Sequence, residues 1–489
     1  MSGTTKDTWG MRASPLFLAV AALLVVANPA CLMTDGRPIL AGDAGEEDDG
    51  FGPPDDAARP DRPDADVPAE AEAEAGADAD SDGDVEVDGN PEDGDVGCTP
   101  VLSTPYRVLE TASDGDERPV VLRSGSGFVF LGRPPGPVLN DGLRFQRFDV
   151  DGVGVTAPVW VLSSVEIGPQ HSMIDLPDEQ FATAFQLVST DPEEAGIWVK
   201  IMRAGGAGGA APTRIPDTDA DSSDPSITFD GTDLVVVWSQ HVTGHDVEVR
   251  AQFANVSTGE AIGSFVTLAV GREPTGQPQI AWSGTRHALI YFSAAAEALH
   301  VLQLDGTLTL VREDIVAPAA GDTVIPGYPA LVWNGTEFGV AWESRITPAS
   351  TIHLTTFAPG EVPVDHTPVT SVAISDRDPG QLGLAWNESA GEWGLVWSYA
   401  RAGRVMISLV RIDGADFALL DGPVDLRPES ISASHPSVAY NDGHYFVTWV
   451  EESTDGTTFP VYERTYGCAP DHRLPPTVLP VAVPAPAPH

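Results

Sequence analysis

Residues able to do chemistry are sparse in this chain, and their spacings commit to little. His241 and His245 stand four apart, but no Glu follows His241, and the segment reads as a loop after a strand rather than a metal-binding helix. Ser124-Gly125-Ser126-Gly127 misses the Gly-x-Ser-x-Gly elbow of a serine hydrolase and lacks its strand-to-helix setting. Gly205-Gly206-Ala207-Gly208-Gly209 has no P-loop Lys and no following helix, so it reads as a turn. Counting Asp78 as the first residue of a calcium loop puts Gly83 sixth, as an EF-hand requires, yet Gly89 falls where the bidentate Glu belongs. No catalytic constellation, metal set or cofactor motif emerges from these residues. What remains is three cysteines, Cys31, Cys98 and Cys468, none in a C-x-x-C pair.

The elements that position such residues begin with an export signal. Leu16 to Ala27 is an unbroken apolar run after Lys6 and Arg12, too short to span a bilayer and of the length of a signal-peptide core. Val25-Val26-Ala27 suits ordinary signal cleavage. Asn28-Pro29-Ala30-Cys31 resembles a lipoprotein box, with Asn28 where an aliphatic residue is usual. The acidic stretch directly after Cys31 favours lipidation of that cysteine, which makes 1–30 a signal peptide. Localisation is then extracytoplasmic, as an outer-membrane lipoprotein or a secreted protein. Residues 31–97 read as a self-repelling linker, since Asp35 to Gly97 holds 23 Asp and Glu against Arg37, Arg59 and Arg62. Of the net charge of −46, about −27 belongs to Cys98 onward, which excludes nucleic acid as a partner. The Pro-rich residues 469–489 read as a disordered tail.

Between the linker and the tail the sequence repeats itself. Pro225 to Trp238 recurs as Pro329 to Trp342 and as Pro436 to Trp449. Pro278 to Tyr291, Leu384 to Trp397, Ile174 to Phe185 and Val120 to Leu131 are more divergent copies. The closing aromatics Phe185, Trp238, Tyr291, Trp342, Trp397 and Trp449 are spaced by 53, 53, 51, 55 and 52 residues. The clearest copies alternate apolar and polar residues with period two on both sides of an Asp-Gly or Asn-Gly, the pattern of a hairpin with a type I′ turn. A third strand and a fourth follow, as in Val405 to Ile412 and Ser264 to Val270. Four strands in each of seven units predict an all-β, seven-bladed β-propeller over 98–468. A solenoid repeat is shorter, and a sandwich domain is about twice as long.

The pattern Pro-x-Φ-x-Trp-Asn-Gly-x-x-Φ-x-Val-x-Trp, followed by an Arg-Φ-Asp-x-Gly strand, resembles the blade repeats of secreted propeller lipoproteins from myxobacteria-like Gram-negative bacteria, over about residues 119–467. The resemblance implies architecture and export and is silent on activity. The expected function is a non-catalytic binding or scaffold module at the cell surface. It would act as a monomer, take a protein, glycan or small ligand, and meet the membrane only through its lipid. The alternative is a propeller enzyme of glycosidase, lyase or esterase type, with its site at the channel mouth. Trp282, Trp333, Trp386 and Tyr440 share one repeat column, explained by blade packing or, more sharply, by a sugar platform. Ring closure has its own expectation. The last unit has no fourth strand, Tyr106 to Glu110 is a spare one, and the 371 residues from Cys98 to Cys468 make seven periods of 53. The N-terminal strand should therefore complete the last blade, locked by a Cys98–Cys468 disulfide.

Overall fold

The computed structural model describes residues 100–467, except 110–117, 134–141, 164, 204, 207, 243–245, 273–275, 294–296, 317–322, 325–327, 347–348, 367–369, 374–380, 402–403, 428–431 and 453–458. Alternating apolar residues build seven separate antiparallel sheets, six of them holding their strands in chain order. Blade three is representative, with Ser222–Phe229, Leu234–Val242, Asp246–Ala254 and Ala261–Arg272 paired in succession. First strands of neighbouring blades pack against one another, and the first strand of blade seven packs against that of blade one. The seven sheets therefore form a ring, with first strands inside and fourth strands at the rim.

Every closing aromatic sits on the second strand of its blade, opposite a third-strand residue. The pairs are Phe185 with Trp198, Trp238 with Arg250, Tyr291 with His300, Trp342 with His353, Trp397 with Ser408, and Trp449 with Tyr462. Trp238, Trp342, Trp397 and Trp449 are fully buried, and apolar burial of this kind contributes about 25 cal/mol per Å². Hydroxyls stitch the inner strands together. Ile227 N donates to Ser172 Oγ, Ile280 N to Ser226 Oγ and Val121 N to Ser437 Oγ, at 3.3–3.4 Å, each bond crossing from one blade to its neighbour.

The ring closes as the repeat count requires. Val461–Gly467, third strand of blade seven, pairs with Val101–Leu102 and with Tyr106–Leu109, so the chain's N-terminal side supplies the missing fourth strand. Ser103 Oγ accepts from Thr465 N at 2.8 Å and reinforces the seam. Cys31, Cys98 and Cys468 lie outside the described residues.

The turn chemistry differs from the type I′ expectation. Phe229 pairs with Leu234, leaving a four-residue loop, in which Asp230 Oδ1 accepts from Thr232 N and Asp233 N, each at 2.8 Å, and only Gly231 has positive φ. Asn334 caps the blade-five loop in the same way. The side-chain cap replaces the second positive-φ residue. Among the described residues, only blade seven has a two-residue turn with both φ values positive, Asp442 at 43° and Gly443 at 83°.

Candidate functional site at the channel mouth

In five blades a Pro stands in or directly before the inner strand at one repeat position, and the residue just before it is Arg118, Asp224, Gln277, Tyr328 or His435. In the other two, the register sets His171 opposite Phe185 and Leu382 opposite Trp397, so Gln170 and Gln381 hold the equivalent position. One position of the repeat thus carries a polar or aromatic residue in every blade at the start of the innermost strand, Gln in three blades and Arg, Asp, Tyr or His in the other four. A β-bulge lies there in blades two, three, four and seven. Asp224 and His435 adopt left-handed backbone, φ 55° and 57°, which Asp and His tolerate better than most residues. Bulges re-aim side chains, and residues held in sparse backbone regions concentrate at functional sites.

Here they converge across the channel. The guanidinium of Arg118, from blade one, lies 3.1 Å from the centre of the Tyr328 ring of blade five. Tyr328 bridges in parallel to Gln381 of blade six. Burial raises the pKa of the Asp224 carboxyl, opposed by the charges of Arg118 and His241 and by a 3.0 Å hydrogen bond from Ser223. Burial, aided by repulsion from Arg118, lowers His435 to about 3. Burial likewise lowers His171 to about 4, with Arg133 and Arg118 adding to the effect and its bond to the Leu131 carbonyl opposing it. Both imidazoles are therefore neutral at pH 7. His171 Nδ1 and Gln381 Nε2 are buried with no hydrogen-bond partner among the described residues. The mouth combines a cation, a carboxyl, two neutral imidazoles, amides and a phenol ring, a set suited to recognising a polar ligand.

Other sequence candidates fall elsewhere. His241 is exposed at the end of the second strand of blade three, and His245 lies outside the described residues. Ser124 to Gly127 is the blade-one hairpin turn. Gly206, Gly208 and Gly209 all have positive φ, and a Cβ on Gly209 would lie 2.1 Å from the Ile201 carbonyl, so these glycines serve backbone turning and close packing. The aromatic column packs within its blades, Trp282 on His287, Trp333 on Phe338, Trp386 on Trp393 and Tyr440 on Tyr445, with ring centres 4.2–4.9 Å apart.

One array is new. His353 Nε2 lies 2.8 Å from Ser344 Oγ, and His353 Nδ1 lies 3.0 Å from Asp365 Oδ2, the bonding order of a hydrolytic triad. Ser344 is fully buried, however, and His353 stacks on Trp342 at 4.0 Å. His300 with Glu313 in blade four, and Ser408 with Asp425 in blade six, occupy the same column. The array is one instance of a clasp that fastens the fourth strand to the third.

No protein-family model matches the chain, nor does any curated protein. Solved structures similar to it include the phage phi92 endosialidase, at 10% identity and TM-score 0.43, covering 78% of this chain and 71% of that one. The polysaccharide lyase Uly1 has 12% identity and TM-score 0.43, with 73% and 90% covered. The β-propeller domain of the Trilobed protease from Pyrococcus furiosus has 12% identity and TM-score 0.34, with 59% and 84% covered. The fold assignment rests on the strand pairing described above.

Proposed function

We propose that this protein is an exported, lipid-anchored recognition module that binds a polar ligand at the mouth of its propeller channel. The observation that carries the proposal is the ring of pre-proline residues. One repeat position is polar or aromatic in every blade, and its members Arg118, Asp224, Tyr328 and His435, four different chemistries, gather with His171 of the adjoining position. A position that only packed blades together would carry interchangeable apolar residues, as the neighbouring second strands do. The anchor at Cys31 would hold the propeller at the outer surface through the acidic linker, which is long and self-repelling.

The test is ligand discovery with full-length protein on glycan and peptide arrays, followed by calorimetric titration of the hits. Arg118→Ala and Asp224→Asn should each weaken binding at least about tenfold while thermal unfolding stays cooperative, the loss expected for a hydrogen bond to a charged group. Hits that bind both variants like the wild type would overturn the reading.

The enzyme alternative is favoured by one observation. Asp224 is a carboxyl whose pKa burial raises, the condition of a general acid. Hydrolysis of chromogenic glycosides or esters that Asp224→Asn abolishes, with folding retained, would establish that alternative.

A further inference from the structure

A cavity lies at the opposite end of the inner strands. His435 stands near the start of Ala433–Asn441 and Tyr440 at its end, so the two sites are separated by the length of a strand. The cavity, about 190 Å³, sits in the seam between blades six and seven, where Asn387, Ser389, Glu392 and Arg411 face Tyr440 and Tyr445. At roughly 30 Å³ per water, its room suits a single six-membered ring better than an oligomer.

This seam departs from the repeat. Blades five and six fill the aromatic column with Trp333 and Phe338, and with Trp386 and Trp393. Blade seven substitutes Tyr440 and Tyr445, and Tyr466 adds a third phenol, so ring bodies are kept while hydroxyls are gained. Those hydroxyls are positioned by a preformed network. Tyr445 Oη donates to Glu392 Oε1 at 3.0 Å, Tyr440 Oη shares a 3.0 Å bond with Ser389 Oγ, and Tyr466 Oη donates to Asp421 Oδ2 at 3.2 Å. Glu392 is 3% exposed, is held bidentately by Arg411 at 2.8–2.9 Å, and accepts a further bond from Asn387. Arg411 also reaches Asp421 at 2.8 Å.

The charges decide the ligand class. Arg411 stands between two carboxylates, so a second cation meets a guanidinium already in place, and an anion meets Glu392 and Asp421. A neutral ligand with hydroxyls on an apolar ring frame satisfies both features, since it packs against the tyrosine rings that line the cavity and exchanges hydrogen bonds with fixed, charge-assisted partners. The geometry points to a binding site for one neutral pyranose at the blade six–seven seam, independent of the channel mouth.

Full-length protein is titrated with methyl α-D-glucopyranoside, galactopyranoside and mannopyranoside by calorimetry, with saturation-transfer NMR to read the bound face. At least one should bind in the millimolar range or tighter. Tyr440→Phe keeps the ring and removes one hydroxyl, and should weaken that binding about tenfold. Ala390→Trp, at an exposed lining position, should block it, while Arg118→Ala should leave it unchanged. Absence of saturable binding for all three glycosides, or binding that survives Ala390→Trp in the folded variant, overturns the site. Loss of binding in Arg118→Ala alone would move the sugar to the channel mouth.

Discussion

At the residue scale, buried imidazoles are the sharpest anomaly. His287 is fully buried against Trp282, neither ring nitrogen has a partner among the described residues, and burial lowers its pKa to about 4. The same column holds Leu234, Phe338, Trp393 and Tyr445 in other blades. His287→Phe should therefore stabilise the protein by about 1–2 kcal/mol in chemical denaturation, because an unsatisfied buried polar group is removed. His171, His287 and His435 also set an acid limit. Their folded pKa values, about 4, 4 and 3, lie below the ordinary 6.5 of an unfolded chain, so the unfolded state binds more protons once pH drops below 6.5. Their contribution to stability is complete above that value and is lost as pH falls toward 3. The melting temperature of wild type should decline through this window, and the decline should be shallower in His435→Gln.

At the element scale, blades fit by close approach where a side chain is missing. A Cβ on Gly394 would come within 2.1 Å of the Tyr445 ring, and one on Gly339 within 2.5 Å of Trp393. Gly394→Ala forces an aromatic ring out of its place and should cost about 1–3 kcal/mol by urea denaturation, an overpacking penalty. The hairpin loops respond differently. Gly335 has φ 101°, and a Cβ there would meet nothing within 4 Å, so Gly335→Ala should cost about 1 kcal/mol through backbone strain alone. Comparing the two variants separates packing from conformational cost.

At the scale of the whole molecule, closure depends on the ends of the propeller meeting. Val101 pairs with Gly467, three residues after Cys98 and one before Cys468, and this register is the physical ground for proposing their disulfide, which the proposed export to an oxidising compartment would permit. Peptide mapping of non-reduced protein should recover a Cys98–Cys468 peptide. Cys98→Ser should lower the melting temperature of oxidised protein toward that of reduced wild type, and two free thiols in exported protein would refute the bond. The tether has a separate check. Fatty-acid labelling of cells should mark the protein, and Cys31→Ser should abolish the mark and release the protein to the medium.

The blades are written in local sequence. Period-two alternation, a recurring closing aromatic and an Asp-Gly or Asn-Gly between them are short-range signals, and repetition at about 53 residues multiplied them until count, strand order and closure were legible. Even the spare strand near Tyr106 could be assigned, because blade seven visibly lacked its fourth. Turn type was less legible, since Asp230 and Asn334 cap their loops through side chains that leave the same Asp-Gly and Asn-Gly letters as a two-residue turn. The candidate sites were not legible at all. Asp224, Tyr328 and His435 each stand before a Pro already visible as a repeat marker, and Arg118 stands before Pro119, yet their meaning arises only when a ring brings distant positions within one channel. Likewise Glu392, Arg411 and Tyr445 become a cavity wall only where blade six meets blade seven. Strand formation depends on neighbours in the chain, whereas a site depends on neighbours in space, and in a propeller only the closed ring decides which those are.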